Sequence, residues 1–199
     1  MAKSSKQWLQ RHVTDPYVRK AKEQGYRSRA AFKLLEMDAK ERFLRPGAVV
    51  LDLGAAPGGW SQVAAAKVKP HGKVLAIDVL PIAPIPGVTI VKGDFRDLPE
   101  TDKADLVLSD LSPNMSGIGS VDQARSLDLA LGAVDVCRKL LKPEGVFVTK
   151  AFHGEAFDDL KAELDSAFLQ VKVHKPAASR GESRETYFVC RALRKQPHD

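Results

Sequence analysis

The chain has 199 residues, 44% of them hydrophobic, which is enough for one substantial core and argues for one domain. No apolar run reaches membrane-spanning length and no signal-peptide pattern opens the chain, so a soluble, cytoplasmic protein without a membrane partner is expected. Its two cysteines, Cys137 and Cys190, form neither a disulfide framework nor a zinc spacing, and five scattered histidines give a metal site no support.

The net charge of +6 is unevenly placed. Residues 1–45 hold 12 Lys and Arg against 5 Asp and Glu, and the remaining chain holds 19 against 20. Residues 1–27 therefore read as a basic segment, with Trp8, Tyr17 and Tyr26 interleaved for stacking on unpaired bases and cations for phosphates. The bland alternative is a solvated basic tail. The rest, 28–199, reads as the folded domain.

In chain order, Ser28 to Phe43 has apolar residues at spacings of three and four and predicts a helix, stopped by Pro46-Gly47. Val49 to Leu53 predicts a buried strand that breaks into Gly54-Ala55-Ala56-Pro57-Gly58-Gly59-Trp60. Glycines there admit a ligand close to the backbone, and Pro57 suits the first turn of a helix running to Val68. The spacing is not the G-x-G-x-x-G of a dinucleotide site, and Asp52 two residues before Gly54 suits a cationic, phosphate-free ligand such as S-adenosylmethionine. A strand at 74–78 ending in Asp78 would complete a parallel crossover. A proline-rich loop at 80–87, a short strand near 89–91 and the turn Gly93-Asp94 follow. Then come a strand at 105–109 ending before Asp110, a helix at about 121–141 and a turn at 142–145. The last elements are a strand at 146–149 delivering Lys150, a helix at 155–168, and strands at 171–174 and 186–191. The fold class is thus α/β: a doubly wound, mostly parallel, Rossmann-like sheet with helices on both faces.

Ligands of such sheets lie beyond the carboxyl ends of the strands. Gly54 to Trp60, Asp78, Asp94 and Asp110 fall there. Asp78, 24 residues after Gly54, suits ribose hydroxyls, and Asp94-Phe95 could bind the adenine amino group and cover its ring. The loop Asp110-Leu111-Ser112-Pro113-Asn114-Met115 has no cysteine for covalent carbon methylation and no N-P-P-Y for a base amine, which leaves oxygen methylation. A sugar hydroxyl is a weak acid, so a positioned base is wanted.

Several segments together resemble the FtsJ/RrmJ (RlmE) family of ribose 2′-O-methyltransferases. They are Ser28 to Leu34, Asp52 to Ser61, Gly93 to Asp97, Ser109 to Gly117, Thr149-Lys150 and Ser183 to Tyr187. The resemblance implies a catalytic group of Lys33, Asp110, Lys150 and Glu185, and cofactor contacts from Gly58, Trp60, Asp78, Asp94 and Asp110, with S-adenosylmethionine as methyl donor. It also implies action on a uridine ribose in the A-loop of 23S rRNA within the 50S subunit, or alternatively on a tRNA anticodon loop; a monomer is expected, because the particle would supply much of the binding surface. One departure is that Arg96 to Ala104 is shorter than the family's fuller helix before the fourth strand. Lys150 is the proton acceptor best placed by this match, with Asp110 and Glu185 orienting it and Lys33 adding positive charge. Rival readings are a nicotinamide oxidoreductase, for which the glycine spacing is wrong, and a non-catalytic RNA-binding module, which would not need the four polar residues.

Overall fold

The computed structural model describes residues 15–98, 101–179 and 183–194. Its strands alternate side chains between two separate cores, as the period of two in a pleated strand requires. Val50, Val74, Leu106, Leu108, Val146, Val148, Tyr187 and Val189 face one way; Leu51, Leu53, Ile77, Val107, Phe147, Phe188 and Cys190 face the other. Both faces of the sheet are therefore covered.

The elements are α1 (Pro16–Glu23), α2 (Ala30–Glu41), β1 (Val49–Leu53), α3 (Gly59–Lys67), β2 (Lys73–Asp78), β3 (Val88–Lys92), a 3₁₀ turn (Phe95–Asp97), β4 (Ala104–Ser109), α4 (Gly119–Leu140), β5 (Leu141–Phe152), α5 (Glu155–Ala167), β6 (Phe168–His174) and β7 (Glu185–Leu193). Strand order is β3-β2-β1-β4-β5-β7-β6, with β3 to β5 parallel and β7 antiparallel to both β5 and β6. The chain reverses its direction of winding between β1 and β4, which opens a crevice at their carboxyl ends. α2 and α3 pack on one face; α4 and α5 pack on the other. No helix among the described residues is long and apolar enough to cross a membrane.

Several boundaries differ from expectation for identifiable reasons. The second helix spans Ala30–Glu41 rather than 28–43, because Arg42 turns left-handed at φ 53° and Asp38 accepts a hydrogen bond from the Leu44 N–H at 2.8 Å. Pro57 precedes the third helix instead of opening it, and Gly58, at φ 108°, is the cap residue. Residues 142–145 are not a free turn: β5 already pairs at Leu141 with Ala104, then slips register and resumes at Val146 opposite Leu106. Among the described residues, the link before β4 holds a single 3₁₀ turn, Phe95–Asp97. Both cysteines are buried free thiols.

Part of the basic segment is folded. Residues 1–14, with Trp8, lie outside the described residues, but α1 docks on α2 through Ala21, Phe32 and Ala178. Tyr17 and Tyr26, expected to stack on bases, pack instead against the Phe32 ring at 5.6 and 5.5 Å. Arg19, Lys20 and Lys22 remain exposed.

Asp38 is nearly buried, and its carboxylate is the partner of an otherwise orphaned backbone N–H where α2 turns toward β1. Asp38→Ala is predicted to cost about 1–3 kcal/mol in chemical denaturation; a loss below about 0.5 kcal/mol, typical of an incidental surface site, would contradict that role.

Candidate active site

The turn after β1 is built by its neighbours. Gly54 has φ 72°, and a Cβ there would meet Leu111 Cδ2 at 2.5 Å, so both backbone conformation and close approach demand glycine. The N–H groups of Gly54 and Ala55 donate to the Ile77 carbonyl, and that of Ala56 donates to Asp78 Oδ2 at 2.9 Å. Asp78 Oδ1 takes the Leu80 N–H at 2.8 Å. Donors that a dinucleotide site would aim at phosphate are here committed to the protein itself. Each Asp78 oxygen keeps a lone pair for a ligand hydroxyl.

Beyond this turn lies a cleft of about 460 Å³, lined among others by Gly54, Asp78, Asp94, Phe95, Asp110 and Leu111. Its size and its wall of three carboxylates against apolar Val79, Leu80 and Leu129 fit a cationic nucleoside with an apolar base. Asp94 caps the 3₁₀ turn by accepting the Arg96 N–H at 2.9 Å, while the Phe95 ring packs down against Gly132. Gly58 and the Trp60 indole do not line the cleft. Trp60 is buried, donates from Nε1 to the Ala30 carbonyl at 2.7 Å and packs against Tyr187. Gly58 instead gives room to Ile85 and Arg27, whose guanidinium ties the turn to the 80–87 loop through the carbonyls of Pro57, Ala83 and Pro84.

Asp52, expected to face a cationic ligand, is fully buried behind the turn and accepts from Ser61 Oγ at 2.5 Å. Burial, with Asp110 and Asp78 nearby, pushes its carboxyl up to about 7 against the Ser61 hydrogen bond.

The four sequence-matched polar residues converge at the carboxyl edge. Antiparallel register sets Lys150 of β5 directly opposite Tyr187 of β7, and the period of two puts Glu185 on the same face as Tyr187. Lys33 reaches that face from α2. Its Nζ pairs with Glu185 Oε1 and donates to the Tyr187 hydroxyl at 3.2 Å. That hydroxyl has one proton facing two carboxylates, Asp110 Oδ1 at 3.0 Å and Glu185 Oε1 at 3.1 Å. Lys150 Nζ donates to the Asp110 carbonyl at 2.9 Å and lies 3.2 Å from Asp110 Oδ1. Ser179 Oγ adds a 3.2 Å hydrogen bond to Glu185 Oε1.

Burial alone would raise the Glu185 carboxyl, yet the charge and hydrogen bond of Lys33, with Lys150 and Tyr187, hold it below its ordinary value. Burial and the two carboxylates push the Tyr187 phenol well above its own, so it stays neutral and donates. Asp110 belongs to both halves: it lines the cleft and anchors Lys150. Tyr187 and Ser179 were not singled out from the sequence. The signal for Tyr187 was the two-residue spacing after Glu185; for Ser179, among turn residues, there was none.

Two measurements follow from this geometry. Tyr187→Phe keeps the buried ring but removes the shared hydroxyl; a loss of about tenfold in turnover is predicted, the scale of one hydrogen bond to charged groups, with cofactor affinity unchanged in calorimetry. Unaltered turnover would contradict it. For Asp52, a folded value raised from 3.8 to about 7 means stability fully present below 3.8 and lost as pH rises through 7. Asp52→Asn should therefore flatten the fall in unfolding free energy across that window, and a parallel profile for the variant would contradict it.

Residues 26–193 match the model of the FtsJ-like methyltransferase family. The chain is 51% identical over 195 residues to the ribosomal RNA large subunit methyltransferase E of Alcanivorax borkumensis, covering 94% of both. It is 49% identical over 201 residues to the protein of that name in an Azoarcus species, covering 96% of this chain and 98% of the relative. A crystal structure of a ribosomal RNA methyltransferase from Plasmodium falciparum superimposes with a TM-score of 0.77 at 30% identity, covering 86% of this chain and all of that one. The seven-stranded Rossmann-like fold, the carboxylate-lined cleft and these matches agree: the chain belongs to the FtsJ-like methyltransferase family and uses S-adenosylmethionine.

Proposed function

We propose that the protein methylates a ribose 2′-hydroxyl of large-subunit ribosomal RNA, a uridine in the A-loop of 23S rRNA within the 50S particle. The observation that carries this reading is the lysine-carboxylate cluster abutting the cofactor cleft through Asp110. Similarity to large-subunit rRNA methyltransferases supports the substrate. Bound S-adenosylmethionine, held along the Gly54 turn, Asp78 and Asp94, supplies an electrophilic methyl group. A neutral Lys150 has two N–H bonds, and both have partners on Asp110, the carbonyl and the carboxylate. The nitrogen lone pair is then free for the incoming hydroxyl. Lys150 takes the O2′ proton as the oxygen attacks, and the resulting ammonium is stabilised by Asp110. Lys33, charge-balanced by Glu185, adds positive potential at the ribose oxygen, and Tyr187 fixes the four groups relative to each other. A lysine base makes the chemistry independent of a metal.

Residues 1–27 serve as the RNA-binding segment, with Arg19, Lys20 and Lys22 of α1 presented to phosphates. The enzyme works in the cytoplasm as a monomer, the particle supplying the remaining binding surface.

The test is transfer of labelled methyl from S-adenosylmethionine to 50S subunits lacking the modification, with tRNA as a parallel acceptor. Label in an alkali-resistant A-loop linkage is the predicted result; label on tRNA alone would overturn the substrate, and none on either would overturn the activity. Lys150→Ala is predicted to lose about a hundredfold or more in kcat, the scale of a positioned general base, and a variant within about threefold of wild type would contradict that role. Removal of residues 1–27 should weaken RNA binding and lessen its salt dependence; an equal loss of cofactor affinity would contradict that division.

A further inference from the structure

Seven large apolar side chains are exposed among the described residues. Val79 and Leu80 line the cofactor cleft, and Leu169 and Val173 lie on the edge strand β6. The other three, Met115, Ile118 and Val121, fall within seven residues that continue the loop after β4, whose residues 110–114 line the cofactor cleft. Met115 follows Asn114, the last residue of this loop to line the cleft, and four residues separate it from Asp110. Met115 is 66% and Ile118 59% exposed.

That exposure is built in. The buried Asp122 carboxylate accepts from the Ser116 N–H and hydroxyl at 2.7 Å each and from the Gly117 N–H at 3.1 Å. The Ser116 hydroxyl in turn accepts the Ile118 N–H at 3.2 Å, and Arg125 reaches the Asn114 carbonyl at 3.4 Å. A loop fastened at Ser116 and Gly117 holds the two flanking side chains, Met115 and Ile118, in solvent, at a cost in apolar exposure.

The charge pattern selects the occupant. From Leu111 to Val121 there is no charged residue, in a chain that is 28% charged. Such a surface offers nothing to phosphates, whose cations are displayed on α1. It suits the neutral, flat face of an unstacked nucleobase. An unpaired loop nucleotide whose ribose presents its 2′-hydroxyl to Lys150 has an unstacked base beside that ribose, and apolar cover there would hold it.

We propose that Met115 and Ile118 form a platform on which the nucleobase of the methylated nucleotide packs, so that this loop positions the acceptor ribose. The platform rests on the ribose-methylation reading above, and its test separates the two. Methyl transfer to unmodified large subunits is measured for wild type, for Met115→Ala with Ile118→Ala, and for Met115→Phe with Ile118→Phe. The alanine pair should lose about tenfold in kcat/KM, the scale of one base-stacking contact, with unfolding midpoint and S-adenosylmethionine affinity unchanged. The phenylalanine pair should match or exceed wild type, because a flat aromatic face stacks on a base better than a thioether does. An alanine pair within about twofold of wild type overturns the platform, as does a phenylalanine pair as impaired as the alanine pair, or a parallel loss of cofactor affinity. A wild type that transfers no methyl to the particle overturns the ribose-methylation reading itself.

Discussion

Two lysine side chains, Lys33 and Lys150, are buried at the carboxyl edge of this sheet, and the site depends on how their charge is answered. An unpaired ammonium there would be costly, and a carboxylate alone leaves donors and lone pairs to satisfy. Each lysine therefore meets its own carboxylate, Glu185 and Asp110, and the two pairs are joined by the single hydroxyl of Tyr187. Removing one member leaves an uncompensated charge, which ties four elements distant in sequence, α2, the loop after β4, β5 and β7, into one rigid constellation.

The sheet delivers these groups through strand register and pleat. Antiparallel pairing of β7 with β5 sets Tyr187 across from Lys150, and the pleat places Glu185 beside it on the face covered by α2. On the other side of Asp110, the crevice between β1 and β4 holds the cofactor cleft. Asp110 is the shared wall: cofactor side in its cleft exposure, acceptor side in its grip on Lys150. In the proposed mechanism, methyl donor and proton acceptor are thus held against one residue at the end of one strand, which is how a pre-organised site limits the entropy lost at reaction.

The alternating strands and helices, the parallel order and the glycine turn were legible because each follows from a local period or a backbone requirement. The four polar groups were legible through the combined match of short segments, since each alone is an ordinary surface charge. The ends of elements were less so. Where α2 stops depends on Asp38 meeting Leu44, and the continuation of β5 through residues 142–145 depends on pairing with β4; neither leaves a sequence signal. Asp52 misleads for a related reason: its place in the motif marks a ligand site, but its side chain supports the turn through Ser61 from behind. Tyr17 and Tyr26 look available for RNA by composition, yet Phe32 claims them. Burial of an aromatic against a partner 6 or 15 residues away is settled by packing, which charge pattern does not report.

In the proposed mechanism Lys150, oriented by Asp110, receives the proton of a ribose hydroxyl. A crystal structure of the protein with S-adenosylhomocysteine and an RNA carrying the acceptor nucleotide would test this at the reacting atoms. The ribose O2′ is expected within hydrogen-bond distance of Lys150 Nζ, with both contacts from Lys150 to Asp110 retained. An O2′ placed against the cofactor sulfur but out of reach of Lys150 would contradict it.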